Sequence, residues 1–396
     1  MLLLDHQGAP ATGSAPAATR IQFVVSVSIT RGRVMLGSFI SYIGSWRTAR
    51  AGLAGLVGLA FALLSSFAHA EPIRGAGSTF AAPIINQWSH TYEAVRTDGG
   101  DYSSPDWRVD YEPVGSLAGI MRLNQAEMDF AATDMPLPPD DLAKRGWTQF
   151  PIVMGGVVVV ANVDNVGAGA LRLSGPVLAD IYLGKVQNWS DPQIQALNSD
   201  LPLPDAPIEV LHRQDGSGST FTFTSFLSEV SPEWREKYGA DTLIAWPLGR
   251  SEKGTSGLAA LTAATRNSIA YLEYGQAVRA GLPFVSLQNQ AGAFVPPTPE
   301  AFQAGLAEVE WDAARDFHVA TTNLAGDAAY PMAAVTFVIL PKDRGQGRVN
   351  RVLDLFRLAF EQGAQDASTL GYIPIPIELA SRIEAYWAKN LGSVSN

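Results

Sequence analysis

The chain contains no cysteine. That excludes a disulfide framework, a thiolate metal site and a lipid anchor carried on cysteine. Histidine is scarce, five in 396 residues. The three beyond residue 70 (His90, His212 and His318) follow no metal-ligand spacing. Basic residues are outnumbered, 28 Lys and Arg against 38 Asp and Glu, for a formal charge of −10. With no Lys/Arg cluster to offset that balance, nucleic acid is a poor partner. A G-x-S-x-G nucleophile elbow is missing, and so is the G-x-x-x-x-G-K-[ST] loop of nucleotide-binding enzymes. What the chain does have is length and apolar content: 47% of its residues are hydrophobic, enough for two or more domains with cores of their own.

The N-terminal stretch reads as a leader. Arg47 and Arg50 precede an uncharged apolar run, Ala51–Leu64, and Ser65–Ala70 then ends in Ala68-His69-Ala70. A basic flank, a short apolar core and a small–x–small end match a secretory signal peptide, removed after Ala70. The run is short for a transmembrane helix, although an uncleaved anchor is the alternative. Residues 1–46 are long for the region before such a core, and Met35 offers a later start. Removing five arginines and one aspartate with residues 1–70 leaves 23 basic and 37 acidic groups, net −14. Export without cysteine points to the periplasm.

The rest alternates strand and helix patterns, so the predicted fold class is α/β. There is no internal repeat. Ile84, Trp88, Tyr92 and Val95 recur at helical spacing behind Pro83. A polar loop at 97–106, a strand over Val109–Pro113, a helix over Ser116–Met128 and a strand over Asp129–Thr133 follow. The run Ile152–Ala161, with Val157–Val160 unbroken, predicts a strand buried on both faces, and Val335–Leu340 predicts a second. Two such strands so far apart are read as crossings between two lobes. Helices are expected at Val349–Gln362 and Ile377–Asn390.

Three segments share one design. GAGSTF (75–80) leads into the helix at Pro83, VGSLAG (114–119) into the helix behind Ser116, and RQDGSGST (213–220) into a helix over Phe221–Val230. Each places Gly with Ser or Thr at a helix start. There the first amides lack intrahelical partners and the helix dipole adds positive charge, a combination that favours anions. Each loop alone also fits a helix capped by its Ser or Thr. GAGSTF is not a dinucleotide fingerprint, since the third glycine is missing. Arg213 could grip an anion bidentately or serve a structural ion pair. Asp215 would hold the guanidinium or form a local turn. Asp134, in ATDMPL, taken alone fits a turn residue.

Taken together, these segments resemble a known family, the periplasmic phosphate-binding proteins (PstS) of the Pst ABC transporter. The resemblance covers residues 73–391 and rests on ordered blocks: GAGSTFAAPI, VDYEPVGSLAGI, MDFAATDMPL, FPIVMGGVVVVAN, LADIYLGKVQNWSDPQI, HRQDGSGSTFTFTSFL, IAYLEYGQA and YPMAAVTFVIL. It implies a two-lobed α/β binding protein, type II-like, with a hinge and a ligand cleft between lobes at 71–155 plus 331–396 and at 156–330. It implies phosphate contacts from Thr79, the Phe80 amide, Ser116, Arg213, Asp215, Ser217, Gly218 and Ser219, and a carboxylate at Asp134 that accepts a hydrogen bond from protonated phosphate. The implied partners are inorganic phosphate and the membrane permease subunits, with the protein acting as a monomer and with no cofactor or metal. Two departures stand out. Leu117 and Ala118 follow Ser116 where the family often has further Ser and Gly, and Ser219 stands where Thr is common. The rival readings are a secreted phosphomonoesterase, which needs a nucleophile or metal, and a binder of another oxyanion.

Overall fold

The computed structural model describes residues 29–30, 33–34, 72–97 and 108–392. The chain divides into two units, residues 1–69 and 70–396. In the first, the described residues form one antiparallel pair, Ile29–Thr30 against Arg33–Val34. The leader segment at 47–71, Met35 and nearly all of the polar loop at 97–106 lie outside the described residues.

The second unit alternates strands and helices. β1 (Ile73–Gly77) runs to α1 (Ala82–Thr97), β2 (Val109–Glu112) to α2 (Ser116–Arg122), and β3 (Phe130–Thr133) to α3 (Pro139–Arg145). The long β4 (Trp147–Asn162) is followed by β5 (Arg172–Leu173), α4 (Gly175–Tyr182) and α5 (Pro192–Leu197). β6 (Glu209–Arg213) runs to α6 (Gly218–Val230) and α7 (Pro232–Lys237), β7 (Arg250–Glu252) to α8 (Gly254–Ala264), and β8 (Ser268–Glu273) to α9 (Tyr274–Arg279). β9 (Ser286–Gln288), β10 (Phe294–Val295) and α10 (Pro299–Leu306) precede β11 (Ala333–Pro341). The described chain closes with α11 (Gln346–Gln362), α12 (Ala364–Thr369) and α13 (Ile377–Asn390).

Eight strands form one sheet in the order β2-β1-β3-β11-β4-β8-β6-β7, and β10-β9-β5 form a smaller one. β11, the last of the described strands, therefore lies in the middle of the large sheet, antiparallel to both β3 and β4. β4 pairs with β11 from Trp147 to Gly156, and then with β8 from Val157 to Asn162. One 16-residue strand thus joins two halves of the sheet, and Val157–Val160 are fully buried, as a continuous β-branched run requires.

The β4–β11 ladder carries an irregularity. Thr336 pairs with Val153 and Phe337 with Pro151, which leaves Ile152 unopposed. Proline has no N–H to give a ladder, so its place inside a central strand is at such a bulge.

Several element bounds differ from the sequence reading; α11, for one, starts at Gln346 and not Val349, and two further differences have a visible cause. β4 starts at Trp147, not Ile152, because the polar Thr148 and Gln149 are buried and satisfied internally. Thr148 Oγ1 donates to the Leu340 carbonyl at 3.2 Å, and the Gln149 amide pairs with both backbone groups of Leu137 at 2.9 Å. α2 ends at Arg122, not Met128. The Asn124 side chain donates to the Met121 carbonyl at 3.0 Å and satisfies an acceptor that another helical turn would have used.

Candidate functional site

The strand ends bring the glycine–hydroxyl segments together. β1, β2 and β3 are mutually parallel, and so are β8, β6 and β7. Ligands of open α/β sheets bind beyond the carboxyl ends of such strands. Here those ends present Ser78 and Thr79 after β1, Ser116 after β2, Asp134 after β3, Arg213 at the end of β6 and Thr255 after β7.

Asp134 is 5% exposed and surrounded by hydroxyl groups. Ser78 Oγ lies 2.8 Å from both carboxylate oxygens and Thr336 Oγ1 2.6 Å from Oδ1; Ser116 Oγ is farther, 3.5 Å from Oδ2. The carboxylate only accepts, so each hydroxyl donates. Ser78 Oγ also accepts from the Ala81 amide, 3.1 Å, and so ties the carboxylate to the start of α1. Burial pushes the Asp134 carboxyl up to about 6; the Thr336 and Ser78 hydroxyls, the Arg213 charge and the Ser116 hydroxyl hold it from rising further.

Arg213 is 2% exposed. Its guanidinium forks onto Asp215, with Nε donating to Oδ1 at 2.8 Å and Nη2 to Oδ2, while Nη1 donates to Thr255 Oγ1 at 3.3 Å. Asp215 Oδ1 also accepts from the Gly254 amide at 3.0 Å. Burial alone would raise the Asp215 carboxyl, but the hydrogen bonds and charge of Arg213 outweigh it and hold it below its usual range. Beneath Arg213, Tyr271 Oη accepts from the Arg213 amide at 3.2 Å and shares a hydrogen bond with Thr220 at 2.7 Å.

The segments touch one another. The Gly218 amide, at the start of α6, donates to Ser116 Oγ at 3.1 Å, and the Leu117 amide donates to the Gly216 carbonyl at 3.2 Å. Thr79 and Thr255 share a hydrogen bond of 2.9 Å. A Cβ at Gly218 would lie 2.5 Å from Asp134 Cβ and Oδ2, so only glycine lets the α6 N-terminus reach the carboxylate. Gly115, at φ 91°, faces Asp215 and Gly216 as closely, with 2.8 and 2.6 Å to a Cβ.

Of the residues predicted from sequence, Thr79, Ser116, Asp134, Arg213, Asp215 and Gly218 fall into this connected set. Phe80 is buried; its ring lies 5.6 Å from that of Tyr372, whose hydroxyl donates to the Phe80 carbonyl at 2.6 Å. Ser217 stands at the N-cap of α6 without a side-chain capping bond, so capping does not occupy its hydroxyl. Ser219 is 3% exposed and its Oγ has no hydrogen-bond partner. α6 begins at Gly218, three residues earlier than the apolar pattern indicated, which puts Gly218, Ser219 and Thr220 in its first turn.

Sequence reasoning missed Ser78, Thr336 and the Gly254–Thr255 pair. The last had a signal, KGTSG at 253–257, a fourth glycine–hydroxyl turn into a helix. Ser78 lies inside GAGSTF, where it and the adjacent Thr79 carry the same hydroxyl signal. Thr336, inside an apolar strand, offered no local signal. Among the described residues, no group of three His, Asp or Glu is placed to hold a metal ion.

A site with donors, one guanidinium and two carboxylates gathered at strand ends places the chain in the class of α/β ligand-binding proteins. A family model described as the PBP superfamily domain matches residues 13–356. The chain is 41% identical over 317 residues to the phosphate-binding protein PstS of Xylella fastidiosa, covering 80% of this chain and 85% of that one. It is 40% identical over 339 residues to the PstS of Pasteurella multocida, 85% and 96% of the two chains. Among solved structures, the phosphate binding protein of Stenotrophomonas maltophilia superposes with a TM-score of 0.59 at 17% identity, over 82% of this chain and 96% of that one, and so shares the fold. The chain belongs to the PBP superfamily and, within it, to the family of the phosphate-binding protein PstS.

Proposed function

We propose that this chain binds inorganic phosphate and delivers it to the permease subunits of an ABC importer. One observation carries the reading: buried hydroxyl donors surround Asp134, a carboxylate with no cation forked onto it, while the buried Arg213 acts on it through its charge. An anion that keeps a proton satisfies both kinds of group. Phosphate near neutral pH still carries one or two protons, its relevant pKa being roughly 6–7 by analogy with phosphoesters. Fully ionised sulfate has no proton to give to Asp134 and is repelled by it.

In this reading Thr79, the Phe80 amide, Ser116, Ser217, the Gly218 amide and Ser219 donate to phosphate oxygens. Arg213 supplies the charge and Asp215 holds its fork. The unpartnered Ser219 hydroxyl fits the role, because a buried donor without an acceptor costs about 1–3 kcal/mol that a ligand oxygen would offset. Leu117 packs on Gly216 where the family often has a further polar residue, which replaces a contact to the ligand by a contact between the walls.

The lobes would be residues 71–155 plus 331–396, and residues 156–330. The change of β4 partner between Gly156 and Val157 supports that boundary. The protein would act as a monomer. Residues 1–70 would be an export signal and the working compartment the periplasm; N-terminal sequencing of the exported protein should begin at Glu71. Among the described residues no helix is long and apolar enough to cross a membrane.

Calorimetric titration of ligand-stripped protein tests the reading. Phosphate should bind tightly and sulfate should not, and equal affinity for both would refute it. Turnover of a chromogenic phosphate ester, with or without divalent metal, would favour the phosphomonoesterase instead.

A further inference from the structure

Asp134 owes its surroundings to residues from three distant parts of the chain, and Thr336 is the one that lies in no glycine–hydroxyl segment. Its placement follows from register. β11 runs antiparallel to β3 with Phe337 opposite Thr133, so the residue before Phe337 stands opposite the residue after Thr133, which is Asp134. On the other edge of β11, the bulge at Ile152 falls between the partners of Thr336 and Phe337. Bulges re-aim the side chains beside them. The result is a fully buried hydroxyl whose oxygen lies 2.6 Å from Asp134 Oδ1.

We propose that Thr336 is a specificity-determining positioning residue: by donating to Asp134 it keeps that carboxylate charged, and so sets the pH below which the site ceases to reject fully ionised oxyanions. The inference rests on the phosphate-binding reading above and deepens it. A charged Asp134 repels sulfate; a protonated one donates to it. Discrimination is therefore lost as pH falls through the titration of this one group. A hydroxyl that can only donate to the carboxylate favours its charged form and moves that titration downward. Ser78 and Ser116 do the same but carry other duties, Ser78 accepting from Ala81 and Ser116 from the Gly218 and Asp134 amides. Thr336 has no such bond to the helix starts, which makes it the cleanest handle on the charge.

The other groups that face Asp134 are few. Arg213 favours its charge from across the cleft. Glu273 and the hydroxyls of Tyr111 and Tyr372 feel its field. Glu229 and His318 line a cavity of about 150 Å³ that also borders Asp134. Their titration would distort the profile of wild type and variant alike, so the comparison between the two isolates Thr336.

The experiment measures sulfate competition against labelled phosphate from pH 5 to 8.5. It uses wild type, Thr336→Val, Thr336→Ala and Thr336→Ser, with the Asp134 side-chain carboxyl followed by carbon NMR in the ligand-free proteins. Loss of a hydrogen bond to a charged group should move both midpoints upward by about one to two pH units in Thr336→Val and Thr336→Ala. Thr336→Ser should restore the wild-type position. A purely packing role would weaken phosphate binding at every pH without moving the midpoint. Wild type that binds phosphate while both hydroxyl-deleted variants keep its midpoints would overturn this inference alone. Wild type that binds no phosphate would overturn the functional reading, and the inference with it.

Discussion

Asp134 follows β3 and Asp215 follows β6 in one connected set of hydrogen bonds, and both lose water on burial. Asp215 has a guanidinium forked onto it and stays charged throughout the working range. Asp134 has hydroxyl groups and only the distant help of Arg213, and its carboxyl sits near 6. The difference teaches that burial sets the direction of a carboxylate's shift only until a cation decides otherwise. One aspartate serves as a fixed counter-charge and the other as an acceptor that answers to pH.

The strongest way to break the comparison is Arg213→Ala. It removes charge-assisted donors worth about 1.5–3 kcal/mol each and should weaken phosphate binding on the order of 100-fold, read by calorimetry. Asp215 would then be left a half-buried carboxylate without its cation, and its titration should move up toward that of Asp134. Next in size is Asp134→Asn. It deletes the repelling charge at constant shape, and the amide donates, so sulfate should gain roughly tenfold in affinity while phosphate changes little. Equal sulfate competition in wild type and variant would return Asp134 to the role of a turn residue.

A smaller effect appears in stability. The folded Asp134 carboxyl titrates near 6, above its ordinary 3.8. Keeping it charged therefore costs stability above about pH 6, a cost relieved as pH falls from 6 toward 4. Asp134→Asn should melt a few degrees higher than wild type at pH 8, with the gap narrowing toward pH 5 in ligand-free protein. The smallest expected effect is at Ser219. Ser219→Ala removes a buried hydroxyl without a partner, so the ligand-free protein should melt slightly higher while phosphate binds several-fold less tightly.

Much of this was legible in the sequence because helix starts advertise themselves. Gly, Ser and Asp before an apolar periodic run place Thr79, Ser116 and Arg213 near strand ends without any knowledge of the sheet. The unbroken Val157–Val160 run similarly declares a strand buried on both faces. What was hidden depends on register. Thr336 meets Asp134 only because β11 inserts beside β3, a pairing 202 residues apart in the chain. The polar start of β4 was hidden for a related reason. Thr148 and Gln149 are satisfied by backbone groups of Leu340 and Leu137, and a polar residue whose partner lies elsewhere reads locally as surface. Ser78 illustrates a third limit: two adjacent hydroxyls in one motif point to different partners, and composition cannot say which.

The position of β11 also has a consequence in time. The strand that fills the middle of the eight-stranded sheet is the last to be made. Until residues 333–341 emerge, β3 and β4 each lack the neighbour that should lie between them, and two edges that will be interior remain open. Pairings of such long range are slow to form, and open edges invite wrong partners. The eight-stranded sheet therefore cannot be completed until residues 333–341 have been made. On the export reading proposed above, that lateness would keep the chain passable: the sheet stays unfinished until residues 333–341 are made, and the binding site is finished with it.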